Sequence, residues 1–297
     1  MNMPATPSDL QATIEELWVY PVKSCAGVRL PEAELTDTGL LYDRAWMVVD
    51  AQGHFVSQRE LPRMALIQPS FRMGQLVIKA PGMLALHLAL DAAESPARVQ
   101  VWDDVIDACD MGDVAAQWFT DFLSPGAPAD LQKLRLARFD PQVMRRCDPA
   151  WTGDQEAYTQ FADGFGLLVA GRASLDDLNQ RLQAAGRAAV DMRRFRPNIV
   201  LGGLAAYDED RSGPMTITTA DGEAVIAPVK PCARCPIPDI DPDTAERGYR
   251  VSDTLQTYRQ DPRVGGAVTF GMNAIVTTGD GMVLREGQPV RADLRFD

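Results

Sequence analysis

The chain has 297 residues, 46% hydrophobic and 24% charged, with a formal net charge of -12 at pH 7. That is globular composition, enough for one large or two modest domains, and its acidity argues against a general binder of nucleic acid or anionic membrane, though local arginines can still hold a small anion. Five cysteines without framework spacing, a polar start with no secretory pattern and no run of about 18 uncharged apolar residues point to a cytoplasmic protein without a membrane span.

The pattern predicts a strand over 14–20 that runs into Pro21-Val22-Lys23-Ser24-Cys25-Ala26-Gly27, a turn carrying a lysine and a hydroxyl. Further strands are expected over 28–35 and 45–50, the latter apolar enough for burial on both faces. Ala51-Gln52-Gly53 turns the chain back into a strand over 54–58. With 75–80 and 98–101, these short strands broken by Gly and Pro suit a small barrel or sandwich. A helix is predicted over 113–123, where Val114, Trp118 and Phe122 recur beside Ala115, Phe119 and Leu123. Asp113 can cap it or sit in its first turn, and Ser124-Pro125-Gly126 ends it. Arg135, Arg138, Arg145 and Arg146 follow, and taken alone they read as a solvated face. A second helix over 175–185 has Ser174 as its cap, Asp177 in capping-box position, a Leu175, Leu178, Leu182 stripe and Gly186 as its stop. An apolar strand over 199–201 comes next. Asp221-Gly222 and Gly279-Asp280-Gly281 mark two later hairpins. The fold class is β-rich α+β with few helices, and any domain boundary lies between 124 and 160 without a sharp mark.

The richest chemistry stands in Lys230-Pro231-Cys232-Ala233-Arg234-Cys235-Pro236-Ile237-Pro238-Asp239-Ile240-Asp241-Pro242-Asp243-Thr244. Its prolines predict a rigid loop, not a regular helix or central strand. A C-x-x-C pair can be half of a zinc site, a thiol redox pair, a soft-metal ligand or inert. Zinc needs two more soft ligands, and the chain offers only His54, His87 and the scattered Cys25, Cys109 and Cys147. A thioredoxin-like pair should open a helix, which Pro236 and Pro238 oppose. Polar groups also flank apolar strands at Lys23-Ser24, Arg44 and Arg196-Pro197-Asn198, and functional side chains favour loops anchored by strands. Lysine, serine, arginine and asparagine are the groups that hold a phosphate and a heterocycle edge. Taken singly, each is more often structural than functional. Neither a Walker loop, nor G-x-G-x-x-G before a helix, nor G-x-S-x-G occurs.

Tyr20-Pro21-Val22-Lys23-Ser24-Cys25, Asp43-Arg44-Ala45-Trp46, Phe161-Ala162-Asp163-Gly164-Phe165, Phe195-Arg196-Pro197-Asn198-Ile199-Val200, Cys232-Ala233-Arg234-Cys235, Asp241-Pro242-Asp243-Thr244 and Phe270-Gly271 come in one order. Over 14–292 the chain thereby resembles the MOSC-domain molybdenum proteins, a family that includes the mitochondrial amidoxime-reducing component and YcbX-type reductases. The resemblance implies an N-terminal MOSC β-barrel domain over 14–130 packed with a MOSC β-barrel domain over 131–297. It implies a molybdenum cofactor, a pterin dithiolene bearing a phosphate, with Cys235 as metal ligand and catalytic group and Cys232 as its neighbour. Lys23, Ser24 and Arg44 are implied contacts to the pterin or its phosphate. Asp163, Gly164 and Phe165 match a segment lining the pterin, and Arg196, Asn198 and Arg234 match further contacts. Asn273 falls where the mammalian proteins have a tyrosine, and Ala233 where they have a serine. The implied reaction is two-electron reduction of N-hydroxylated compounds to amines, the substrates being amidoximes, hydroxylamines and N-hydroxylated base analogues. Asp239 and Asp241 are proton-donor candidates by proximity alone. No cysteine follows Cys235, so the ferredoxin domain common in YcbX-type proteins is not expected. A separate electron-donor protein is, either a ferredoxin or a cytochrome b5-like protein with a flavin reductase. The competing readings are a sulfur carrier with a persulfide on Cys235, and a cofactor carrier without turnover.

Overall fold

A computed structural model describes residues 8–295. Its strands in chain order are β1 (Leu10–Val19), β2 (Val28–Leu30), β3 (Glu32–Thr36), β4 (Gly39–Leu40), β5 (Trp46–Val49), β6 (Gln68–Arg72), β7 (Gln75–Lys79), β8 (Leu86–Ala89), β9 (Ser95–Val101), β10 (Asp104–Asp110), β11 (Arg135–Phe139), β12 (Arg145–Arg146), β13 (Tyr158–Thr159), β14 (Leu167–Gly171), β15 (Ile199–Gly202), β16 (Met215–Thr219), β17 (Gly222–Ala233), β18 (Gln260–Asp261), β19 (Ala267–Thr278), β20 (Val283–Arg285) and β21 (Pro289–Ala292). The helices are α1 (Gly112–Leu123), α2 (Pro149–Thr152), α3 (Arg172–Ala184) and α4 (Val251–Gln256). The fold is strand-rich, as expected.

Burial alternates along β1, the period of a strand with one face on a core. That face closes a barrel in the order β14-β15-β1-β21-β16-β17-β19, with β19 pairing back to β14. Every pair in the ring is antiparallel except β14 with β15. The barrel core holds Ile14, Leu17, Leu35, Val169, Ile199, Ile217 and Ile226. A second lobe carries the sheets β5-β11-β10-β9 and β6-β7-β8 and helix α1, whose Trp118, Phe119 and Phe122 pack with Trp46 and Met64.

The sheets do not part at the 130/131 division. β1 lies in the barrel, β3 pairs with β20, and β11 completes the four-stranded sheet of the other lobe. Other expectations shift for local reasons. The strand expected over 28–35 breaks at Pro31, which has no N–H to donate. Residues 54–58 form only isolated bridges, Val49 with Phe55 and His54 with Gln100. Val114 is 75% exposed, and the buried stripe of α1 runs instead through Ala115, Trp118, Phe119 and Phe122. Gly171 precedes the first turn of α3, and Ser174 lies inside that turn, donating to Glu209 Oε1 at 2.7 Å and accepting from the Tyr207 N–H at 2.8 Å. Asp221-Gly222 does turn β16 into β17, but β20 pairs with β3 and not β19, so Gly279-Asp280-Gly281 is a turn without a hairpin.

One contact fixes the 160s loop to the barrel. A Cβ on Gly166 would stand 2.4 Å from the Thr38 carbonyl oxygen, and one on Gly39 would stand 2.3 Å from the Gly166 carbonyl oxygen. Both obstacles are backbone and cannot swing aside. Gly166→Ala should therefore destabilise the chain by about 2 kcal/mol, the scale of an overpacked site, as a lower denaturant midpoint; an unchanged midpoint would show that these backbones are free to separate.

Candidate active site

Five neighbouring barrel strands end or pass at one rim. The turn after β1 brings Lys23 and Ser24 there; the segments before β14 and β15 bring Asp163–Phe165 and Arg196–Asn198; β17 delivers Cys232 and the loop beyond it; and Asn273 in β19 pairs with Leu168 and Lys230. The second lobe sits over this rim, and the two enclose a cleft of about 320 Å³. Every residue that the resemblance assigned to the cofactor lines it, Lys23, Ser24, Arg44, Asp163, Gly164, Phe165, Arg196, Asn198, Arg234, Cys235 and Asn273, whereas the proton-donor candidates Asp239 and Asp241 do not.

Two sequence features aim the thiols into the cleft. β17 reaches Ala233, so Cys232 lies on a strand and only Cys235 on the loop past its end, which differs from the all-loop expectation. The register slips between Pro228 and Lys230 and between Pro231 and Ala233, where prolines cannot donate, and such bulges bend a strand. In facing β19, Gly271 has φ +74, and a Cβ there would lie 2.7 Å from the Val169 carbonyl oxygen. Only glycine lets β19 pass so near β14 beside Asn273.

The cleft lining has five cations, Lys23, Arg44, Arg59, Arg196 and Arg234, and one carboxylate, Asp163, in a chain of net charge -12. Lys23 Nζ donates to the Phe161 carbonyl at 2.8 Å and to Asp163 Oδ1 at 2.6 Å. Burial pulls the Lys23 ammonium below its ordinary value, and Asp163 opposes that shift. Desolvation works against ionisation of Asp163, but the Lys23 charge and the hydrogen bonds from Lys23 and Trp102 outweigh it and hold the carboxyl well below the usual range. The Asp163 side chain is 69% exposed, so the attraction of Lys23 fits its surroundings better than burial does.

Arg44 and Arg196 flank the Tyr20 ring, at 4.4 and 4.2 Å from its centroid. Arg196 Nη1 donates to the Cys25 carbonyl at 2.6 Å, while its Nη2 is buried without a partner. Burial first, then the like charge of Arg44, brings the Arg196 guanidinium down to about 10. Arg234 donates through Nη1 to Cys232 Sγ at 3.0 Å and through Nη2 to the Phe195 carbonyl at 2.9 Å, and its Nε too is buried without a partner. Open buried N–H groups of this kind are costly unless an acceptor arrives. Asn198 is already engaged: its amide accepts from the Leu168 N–H and from Arg44, and donates to the Trp18 carbonyl. It holds β1, β14 and Arg44 together at the cleft wall.

Of the five free cysteines, Cys25 and Cys147 are buried, and burial pushes their thiols up to about 12 and about 11. Cys232 and Cys235 line the cleft. Among the described residues no three His, Cys, Asp or Glu side chains converge, so the four-ligand cage of structural zinc has no donor set here. Asp239 and Asp241 are spent elsewhere: Asp239 accepts from the Ser252 N–H and hydroxyl at the start of α4, and Asp241 accepts from Arg194 and the Asp243 N–H.

The backbone is strained here as well. Eight non-glycine residues among those described have positive φ, and four of them, Ser24, Arg44, Trp102 and Arg196, line this cleft. Such conformations cost energy and cluster at working sites.

Residues 11–125 match the MOSC N-terminal beta barrel domain, and residues 157–292 match the MOSC domain. The chain belongs to the MOSC-domain family. Mitochondrial amidoxime reducing component 2 of Bos taurus is 34% identical to this MOSC protein over 258 residues, 83% of this chain and 72% of that one. Mitochondrial amidoxime-reducing component 1 of Homo sapiens is 35% identical over 263 residues, 84% and 73% of the two chains. Molybdenum cofactor sulfurase of Bos taurus is 29% identical over 264 residues, 83% of this chain but 29% of that longer protein. Two of these relatives are named for amidoxime reduction and the third for sulfuration of the molybdenum cofactor.

Sequence reasoning missed two groups at this site. Phe55, Ser57, Arg59 and Trp102 form its far wall from the second lobe. Nothing in their spacing placed them opposite the cysteine loop. Arg145, read as solvated, is buried and bonded to the backbone of the 160s loop. The one usable signal was a cluster of arginines in an acidic chain.

Proposed function

We propose that this MOSC protein is a molybdenum-cofactor-dependent reductase of N-hydroxylated compounds. The donor set of the cleft carries this reading: five cations, two of them with buried open N–H groups, around a pair of accessible thiols. The residues present fit a phosphate-bearing pterin whose metal takes a thiolate. Cys235 is the soft protein ligand, and Cys232 keeps Arg234 in place. Arg196 and Arg234 offer their open donors to the anionic and carbonyl edges of the cofactor, and Lys23 and Ser24 close the same wall. Arg44 and Asn198 hold that wall in shape. Asp163 orients Lys23 and stays ionised, so it is no proton donor at neutral pH. Gly164 leaves open space, since a Cβ there meets nothing within 4 Å.

When bound, the cofactor supplies a Lewis-acidic metal that stores and returns two electrons. In sum, one N-hydroxylated molecule, two electrons and two protons give an amine and water. Neither Asp239 nor Asp241 reaches the cleft, so the protons come from solvent at its mouth. The electrons come from a separate carrier protein of the ferredoxin or cytochrome b5-like kind, with its reductase, in the cytoplasm. Among the described residues no helix is long and apolar enough to cross a membrane.

The test is elemental mass spectrometry on protein made with molybdate in a cofactor-competent host, followed by turnover of an amidoxime with a chemically reduced viologen. Stoichiometric molybdenum and amine formation are expected. Protein with neither molybdenum nor pterin would overturn the reading in favour of persulfide chemistry at Cys235.

A further inference from the structure

Beyond the charge of Arg59 and the Trp102 hydrogen bond to Asp163, the far wall of the cleft has no role in holding the cofactor. It contains one residue that is hard to explain by folding alone. Trp102 is the first residue of the two-residue turn joining β9 to β10, since Val101 pairs with Asp104. Its φ is +54, at a turn position where glycine or asparagine is ordinary. It is also 45% exposed. A bulky residue in this conformation costs stability, and exposure of the ring returns little of it. The turn would form more easily with a smaller residue, so the indole is there for something other than the turn.

Its surroundings say what. The indole N–H donates to Asp163 Oδ1 at 3.2 Å, the same oxygen that takes Lys23. The Phe55 ring meets it edge-on at 5.0 Å, and the Arg59 guanidinium lies 4.6 Å from its centroid. Arg59 donates through Nε to Ser57 Oγ at 3.0 Å, with Glu60 Oε1 3.8 Å from the same nitrogen, and its two terminal nitrogens make no hydrogen bond among the described residues. The wall thus offers a fixed aromatic ring, a second ring braced against it and a guanidinium with open donors, all at the exposed side of the cleft. The buried open donors of Arg196 and Arg234 are on the barrel side, where a resident group would seat.

We infer that Trp102, braced by Phe55 and Arg59, is the substrate-selecting wall of this cleft, and that it favours flat aromatic N-hydroxylated compounds, above all those with a carboxylate on the ring for Arg59. This rests on the reductase reading. An aromatic face holds a planar substrate by stacking, and a guanidinium reads a carboxylate through paired donors.

Trp102→Gly tests it without harming the turn, because glycine accepts positive φ more readily than tryptophan. Three quantities are measured on the holoenzyme: molybdenum content, KM and kcat for benzamidoxime, 4-carboxybenzamidoxime and N-hydroxyurea, and equilibrium binding of benzamidoxime to the oxidised protein without an electron donor. Trp102→Gly should keep its molybdenum. It should weaken benzamidoxime binding and raise its KM roughly tenfold, the scale of an aromatic contact, with a much smaller effect on N-hydroxyurea. Trp102→Phe should recover most of the loss. Arg59→Met should raise KM for the carboxylated substrate more than for benzamidoxime. Loss of molybdenum in Trp102→Gly would overturn the inference by assigning the wall to the cofactor, and so would equal KM changes for aromatic and non-aromatic substrates. A wild-type protein with no metal and no turnover would remove the reductase reading, and this inference with it.

Discussion

Cys235→Ser should lose both its molybdenum and its turnover, while Cys232→Ser should keep the metal and lose only part of its rate. The two cysteines differ in what surrounds them. Cys232 is the penultimate residue of β17, and its sulfur takes the Arg234 Nη1 donor at 3.0 Å. Cys235 lies past the strand end on the loop, facing the same cleft. A serine at 235 replaces a soft thiolate with a hydroxyl that stays protonated, which removes the ligand chemistry outright. Groups that only support a metal ligand change affinity by about 10–100-fold when lost, so loss of the ligand itself should exceed about 100-fold. A serine at 232 still accepts from Arg234, which keeps that guanidinium over the cleft, so its effect should stay within about tenfold. Metal content by elemental mass spectrometry, beside amidoxime turnover, reads both. Equal losses in the two variants would mean that the sulfurs act as a pair.

The local half of this architecture was legible in the chain. The strand running into Pro21, the fully apolar β5 and the Asp221-Gly222 turn are short-range signals, and each names its own element. Lys23, Ser24, Arg44, Arg196 and Asn198 were legible too, as polar groups beside apolar strands, whereas Asp163, Gly164, Phe165 and Asn273 came from the resemblance alone. What local signals cannot carry is pairing over long separations. β1 closes against β15 and β21, far along the chain, so the barrel draws strands from both sides of the division at 130 that the resemblance implies. The same limit hid the far wall: nothing in the sequence marked Trp102, and only the packing of the two lobes brings its indole to Asp163. Ser174 shows a smaller failure of the same kind. A serine before a leucine stripe suits a cap, but Glu209, 35 residues on, takes its hydroxyl instead.

Arg145→Met should destabilise the chain by about 3 kcal/mol and leave it unable to retain the cofactor. Arg145 is on the two-residue strand β12, paired with Thr159. Its Nε donates to Asp104 Oδ2 at 2.8 Å and its Nη1 to the Gln160 carbonyl at 2.8 Å; Nη1 also reaches the Ala162 carbonyl, and Nη2 the Asp163 carbonyl at 3.3 Å. One guanidinium thus gathers three backbone carbonyls of the 160s loop, the last of them on Asp163, whose carboxylate holds Lys23. Methionine fills similar space but strands those carbonyls, at about 1–3 kcal/mol for each group that water cannot reach. Asp104 is half-exposed and recovers its hydration, so the carbonyls dominate the loss. Arg145→Lys sharpens the test, because an ammonium on a flexible stem keeps the charge but cannot span the same set of acceptors. Lysine should restore part of the stability and little of the cofactor retention, read as the denaturant midpoint beside molybdenum remaining after gel filtration. If lysine restored both fully, charge alone would suffice; partial rescue of stability with no rescue of retention would show that the fork of the guanidinium shapes the loop that carries Asp163.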